Sequence, residues 1–251
     1  YKNNTDFMGH SYGCHENYLL PRSLPWEPLA SGIQAFLITR QIIAGAGKFA
    51  IEEEDKFVGP GFQISQRSDF FSELQSVDTM QRRPIVNTRD EPHADRSKYR
   101  RLHLIVGDAN MCEYATALKV GTTRLVLDLI ARGESPSVEI EDPVAAIKLI
   151  ARDPELKQVV RCTSGGSVSA LDLQAEYYGA AKKVLAGQDE EGDWILREWG
   201  ETLALLAADR AQLVGRLDWV TKLWLLDTFV REERIGWNDP WLASLDLEYH
   251  N

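Results

Sequence analysis

Cysteine is scarce: Cys14, Cys112 and Cys162 are the only three, widely spaced and odd in number. They form no disulfide framework and no CxxC pair, which points to a reducing compartment, the cytoplasm. Long apolar runs are missing as well. None approaches the roughly 20 residues of a bilayer-crossing helix, so no membrane partner is expected. Positive charge is in deficit, with 28 Lys and Arg against 38 Asp and Glu and a net charge of −10. A chain this acidic neutralises phosphate backbones poorly, which excludes a general nucleic-acid binder. No Gly-x-Ser-x-Gly, Walker loop or GxGxxG occurs, so the common hydrolase elbow and nucleotide cradles are excluded too. No signal peptide is visible. The chain opens at Tyr1 without an initiator Met and reads as an internal piece of a longer protein.

The 251 residues are 44% hydrophobic and 26% charged, a globular composition. That length suits one large domain or two unequal ones. Charge divides the chain: residues 1–110 carry 13 basic and 14 acidic groups, the remainder 15 and 24. Within the near-neutral first part, Arg82, Arg83, Arg89, Arg96, Lys98, Arg100 and Arg101 face only Asp90, Glu91 and Asp95. This local excess suits an anion site, and a solvated charged loop accounts for it equally well.

Pattern divides the chain at the same place. Short apolar runs at Phe62–Ile64, Pro84–Val86 and Leu102–Val106 predict strands linked by loops, with at most one helix, at Ile33–Ile43. From Asp108 the periodicity is helical: Met111–Ala131 with Asn110 as N-cap, Pro143–Arg152, Ser169–Ala186 with Ser169 as cap, Trp194–Leu213 and Leu217–Arg234. The stripe Trp219, Leu223, Leu226, Val230 reads as core packing, and Gly165-Gly166 as a turn between short strands. The expected architecture is α+β, an antiparallel-leaning sheet platform with helices packed around it. Residues 1–130 are expected to form one part of a single large domain, and residues 131–251 its helical continuation.

Strand parity selects the candidate site. In Arg101-Leu102-His103-Leu104, alternation puts Arg101 and His103 on one face and the leucines on the other. If the leucines bury, the other face is wet or holds a charged ligand, because a guanidinium is not buried unpaired. In Gly13-Cys14-His15-Glu16-Asn17-Tyr18-Leu19 the same parity groups His15 with Asn17, opposite Cys14, Glu16 and Tyr18. Cys14 and His15 therefore do not form a nucleophile–base pair. Two strands each present a histidine with a polar partner two residues away. Imidazoles completed by carboxylates suit a divalent ion, and Asn and Arg suit phosphate or ribose oxygens. Ordinary hydrogen-bonded strand histidines are the alternative. Arg67 and Arg89 are candidate planar forks for a phosphate, or else partners of Asp69 and Asp90. His93 reads as a loop-capping residue.

The stretches Lys2-Asn3-Asn4-Thr5-Asp6, Ser11-Tyr12-Gly13-Cys14-His15-Glu16-Asn17-Tyr18-Leu19, Asn87-Thr88-Arg89-Asp90-Glu91-Pro92-His93-Ala94-Asp95 and Tyr99-Arg100-Arg101-Leu102-His103 through Gly107-Asp108-Ala109-Asn110 together resemble the Pup ligase and Pup deamidase/depupylase family. That resemblance implies a glutamine synthetase-like fold. It implies that His15 and His103 bind the magnesium ions accompanying ATP, that Asn17 and Arg101 contact the nucleotide, and that Arg67 and Arg89 face the phosphate and reacting carboxyl. The acidic metal ligands and the aspartate nucleophile or base are expected upstream of Tyr1. The implied partners are Pup and pupylated proteins. The run Gly59-Pro60-Gly61-Phe62-Gln63-Ile64-Ser65-Gln66-Arg67-Ser68-Asp69 and the residue Ala109 look more like the deamidase/depupylase. That branch hydrolyses the C-terminal Gln side chain of Pup and the isopeptide bond joining Pup to lysine. The alternatives are a Pup–protein ligase, which activates the Pup C-terminal Glu with ATP, and a nucleotide- or Pup-binding module without chemistry.

Overall fold

The computed structural model describes residues 2, 4–6, 10–53, 56–78 and 83–250. Asn3 of the first motif and Arg82 of the basic cluster lie outside the described residues. The chain starts with β1 (Glu16–Pro21) and passes into α1 (Trp26–Thr39) and the single turn α2 (Gln41–Ala44). Helix α1 is the central element of the core. From Leu29 to Thr39 it buries nine of its side chains, and the Phe36 ring lies 5.5 Å from Tyr177 and 6.1 Å from Trp199. The expected helix at Ile33–Ile43 thus begins seven residues earlier and is interrupted at Arg40. Pro25 and Pro28 disguise its start, yet proline costs little in a first turn, where the N–H has no intrahelical acceptor.

A hairpin of β2 (Lys48–Glu53) and β3 (Lys56–Gln63) follows, then a 3-10 turn at Ser68–Phe70. Next come β4 (Phe71–Ser76), β5 (Arg83–Asn87) and β6 (Tyr99–Leu104). The main sheet has the order β1-β6-β5-β4 and is antiparallel except for the β4–β5 pair. Its hidden face carries Leu102 and Leu104, both fully buried.

The helical part runs α3 (Glu113–Arg132), α4 (Pro143–Ala151), the small ribbon β7 (Val159–Arg161) and β8 (Ser167–Ser169), α5 (Ala170–Leu185), α6 (Glu190–Ala208), a 3-10 turn at Arg210–Leu213, α7 (Asp218–Glu233) and α8 (Trp241–Glu248). Ser169 caps α5 through the amide of Asp172, and Gly165 and Gly166 turn the ribbon at positive φ, both as expected. Asn110 does not cap α3. Its side chain donates to the Ala44 carbonyl and to Asp218, while Asp218, about a hundred residues onward, accepts from the amides of Met111 and Cys112. Along α7, Trp219 and Leu226 are buried and Leu223 and Val230 half-buried. One hydrophobic cluster extends from Leu20 to Val220, so sheet and helices share an interior.

Candidate functional site

The antiparallel ladder between β1 and β6 places Asn17 opposite His103 and Leu19 opposite Arg101, and β5 sets Asn87 opposite His103 from the other side. His15 precedes β1 by one residue, on the Asn17 side of the pleat. Its Nδ1 lies 3.3 Å from His103 Nε2, with ring centroids 4.9 Å apart at 68°. The two imidazoles singled out by parity therefore meet, edge to face, although 88 residues separate them. Gly13 makes this possible. A Cβ there would stand 2.3 Å from His15 Nε2, so any larger residue would displace the ring.

His15 and Asn17 are exposed, while His103 is 6% exposed, with a buried Nδ1 that has no hydrogen-bond partner. Burial, then the charges of His15, Arg101 and Arg89, push His103 down to about 4. Burial and the Arg67 guanidinium lower His15 as well. At neutral pH both rings are neutral and offer lone pairs, the form in which imidazole binds a metal. Arg101 is half-buried on the same face, its Nε buried and without a partner.

The arginines differ from the expected forks. Arg67 is 2% exposed and bound to its own chain: Nη1 donates to the carbonyls of Ile105 and Gly107, and Nε to Ser11 Oγ at 3.3 Å. Burial pulls its guanidinium down to about 10. It is a fixed charge behind His15 rather than an open clamp. Asp69, its alternative partner, pairs instead with Lys48 (2.8 Å) and Arg152 (2.9 Å). Arg89 lies half in solvent with Nε 3.1 Å from Glu91, while its amide is held by Asn87 Oδ1 at 2.9 Å. Its other alternative partner, Asp90, pairs with Arg22 and accepts the Arg101 amide. His93 is exposed at φ 44°, and the side chain that caps this loop is Asp95, which takes the Ser97 amide and hydroxyl.

The opposite face of β1 holds groups that parity assigned there without explaining. Glu16 receives both arms of Arg40, at 2.7 and 2.8 Å, with both side chains almost wholly buried. Lys119 lies buried beside it, donating to Asp108 O (2.6 Å), Asn110 Oδ1 (3.0 Å) and Cys14 Sγ (3.6 Å). Asp108 takes the amides of Ala46 and Gln66, both at 2.8 Å, and the Ser65 hydroxyl. This buried scaffold fixes the backbone on which His15 and Arg67 sit.

Two neutral imidazole nitrogens can supply no more than part of a metal's coordination sphere. Among the described residues no group of three or more His, Cys, Asp and Glu side chains is arranged to hold a metal ion. Magnesium takes mostly oxygen ligands, so the pair fits it only where phosphates and further carboxylates complete the sphere. Among the described residues, no helix is long and apolar enough to cross a membrane.

Comparison with known proteins places this geometry. A family profile described as "Pup-ligase protein" matches residues 1–251. The chain is 45% identical over 257 residues to a depupylase of Acidothermus cellulolyticus, covering 100% of this chain and 51% of that protein. It is 44% identical over 255 residues to a Pup–protein ligase of Nakamurella multipartita, covering 100% and 56%. The solved structure of the Pup ligase PafA of the prokaryotic ubiquitin-like modification pathway, in complex with ADP, superposes with a TM-score of 0.89 at 41% identity, over 100% of this chain and 56% of that one. The chain spans about half the length of the curated relatives it matches.

Proposed function

The chain belongs to the Pup-ligase protein family and has its glutamine synthetase-like α+β fold, and from that premise we propose that it forms one wall of an ATP- and magnesium-dependent site acting on Pup, as a deamidase/depupylase. The observation that carries this reading is the imidazole pair across the β1–β6 ladder, flanked on one face by Asn17 and Arg101. The adenosine phosphates would lie along that face. His15 and His103 would hold the magnesium, with oxygens of the phosphates and of carboxylates outside this chain. The metal, when bound, supplies positive charge that offsets the triphosphate. Residues 131–251 are the helical continuation of the same catalytic domain, and the setting is cytoplasmic.

Both hydrolyses cleave the C–N bond of a side-chain amide, free in the C-terminal Gln of Pup and substituted by a lysine in a pupylated protein. One site serves both, because the attacked carbonyl is the same. As negative charge grows on its oxygen, fixed positive charge in a dry setting stabilises it. Arg67, immobile and nearly unexposed, contributes a constant field. Arg89, whose exposed guanidinium pairs with Glu91 at the surface, can turn onto the substrate. Arg101, with an unpartnered Nε, and Asn17 orient the nucleotide.

The ligase reading has its own support, since ligases match this chain at 43–44% identity, close to the 42–45% of the depupylases. The Gly59–Asp69 run and Ala109 favour the hydrolase. Incubation of the full-length protein with ATP, magnesium and a Pup–lysine conjugate decides. Release of free Pup supports depupylation, and conjugate formation from Glu-ended Pup supports ligation. Neither reaction, with nucleotide binding retained, supports a binding module.

A further inference from the structure

The turn that carries Arg67 is fastened from far along the chain. Gln66 donates its amide to Asp108 Oδ2 at 2.8 Å, accepts the Asn4 amide on Oε1 at 3.0 Å, and sets Nε2 2.8 Å from His250 Nε2. The same ring nitrogen lies 2.8 Å from Lys222 Nζ. An ammonium can only donate, and Gln66 has already turned its carbonyl oxygen toward Asn4, leaving its NH₂ toward the ring. His250 Nε2 therefore faces two donors that share its single lone pair, which fixes a neutral ring with its proton on Nδ1. The ring is 1% exposed. Lys222 is anchored in turn on the Gly47 carbonyl (2.7 Å) and on Asp246, which also takes the Phe49 amide (3.1 Å).

We infer that His250 is a positioning residue of the site wall: a neutral imidazole whose acceptor nitrogen, shared between Lys222 and Gln66, fixes Gln66, and with it the Ser65-Gln66-Arg67 turn holding the Arg67 charge behind His15. The inference rests on the reading of that wall as a nucleotide site. A residue that merely filled this volume would need to be apolar and of the right size. Positioning demands an acceptor at the place of Nε2. Glutamine puts its carbonyl oxygen there, asparagine falls short, and leucine has none.

The test uses the full-length protein with His250→Gln, His250→Asn and His250→Leu. It reads hydrogen exchange over residues 62–70 and the Kd for ATP with magnesium. His250→Asn and His250→Leu are expected to speed exchange of the Gln66 and Arg67 amides about tenfold and to weaken ATP about tenfold, the range of an orienting contact once removed from the ligand. His250→Gln is expected to keep both near wild type. A turn whose exchange is unmoved by His250→Leu overturns the inference. So does a glutamine variant as impaired as the leucine one, or one that fails to fold. Should only His250→Leu fail to fold, glutamine against asparagine carries the comparison. If the unsubstituted protein binds no ATP while exchange of the turn still follows the acceptor, the nucleotide reading fails and the positioning role stands.

Discussion

Glu16 and Arg40 offer the sharpest test of how the wall is held. The pair is bidentate, with the Arg40 side chain 2% and that of Glu16 6% exposed, and Arg40 also donates to Thr123 Oγ1 at 2.6 Å. Removing one partner strands a buried charge, which costs about 3–5 kcal/mol, whereas replacing both with well-packed apolar groups is often near neutral. Glu16→Ala should therefore lose about 4 kcal/mol. The double variant Glu16→Leu with Arg40→Met should recover most of that, short of about 1 kcal/mol for the Tyr18 hydroxyl, which loses its acceptor, while the Thr123 hydroxyl keeps the Lys119 carbonyl. Urea unfolding of the full-length protein, followed by tryptophan emission, measures each loss from its midpoint, with Trp199 and Trp219 as buried reporters. The sign with pH is fixed as well. Burial alone would raise the Glu16 carboxyl, but the charge and hydrogen bonds of Arg40 outweigh it and hold the group below its ordinary range. Stability from the pair is thus complete above the unfolded-state value of about 4.3 and is lost as pH falls through the lower folded-state value. The gap between wild type and the double variant should narrow only in acid. A single variant losing less than about 1 kcal/mol, or a double variant as unstable as the sum of the singles, would refute the buried-pair argument.

Other expectations concern the site and the packing behind it. His103→Ala should abolish magnesium-dependent ATP binding by calorimetry, and unchanged affinity would remove the histidine from the metal. Because His103 is neutral down to about pH 4, ATP affinity should not fall between pH 8 and 6 through protonation of this ring; a titration near 6.5 assigned to it by NMR would contradict its burial. Gly121→Ala would set a Cβ 2.2 Å from Ile195 Cδ1 and 2.6 Å from its Cγ1, so it should cost about 1–3 kcal/mol and be eased only in part by Ile195→Val, which removes Cδ1 alone, as read by thermal unfolding. Asp142→Ala should cost about 1 kcal/mol on the same assay, since it removes the acceptor of the Ala145 amide at the start of α4.

The site face was legible because alternation has a period of two and needs no knowledge of the partner strand. His103 with Arg101, and His15 with Asn17, follow from parity alone, while their 3.3 Å meeting depends on a register that no local pattern encodes. The helices from α3 to α7 are legible for the same local reason, with α6 starting four residues early because Asp189 caps it ahead of three acidic residues; α8, at Trp241–Glu248, is not among the expected helices. What escaped notice is the buried charge. No local pattern marks Arg40, Lys48, Lys119, Lys222, Asp218 and Asp246 as buried, since the elements that satisfy them come from distant parts of the chain. Arg67, a candidate phosphate fork or partner of Asp69 by sequence, has its Nη1 on the Ile105 and Gly107 carbonyls, two acceptors that no local pattern reveals. Gly13 carried a usable hint, a glycine two residues before a histidine, which marks room made for a ring.

The reach of the Asp218 and Lys222 contacts sets a schedule for synthesis. A ribosome that has released only residues 1–210 has already delivered both histidines, Arg67 and the strands that carry them. It has not yet delivered the carboxylate that takes the Met111 and Cys112 amides, or the ammonium that anchors on Gly47. Until those arrive, the sheet can form while the loop after β6 and the start of α3 are unfastened. The nascent sheet would therefore be built before its fastenings are in place.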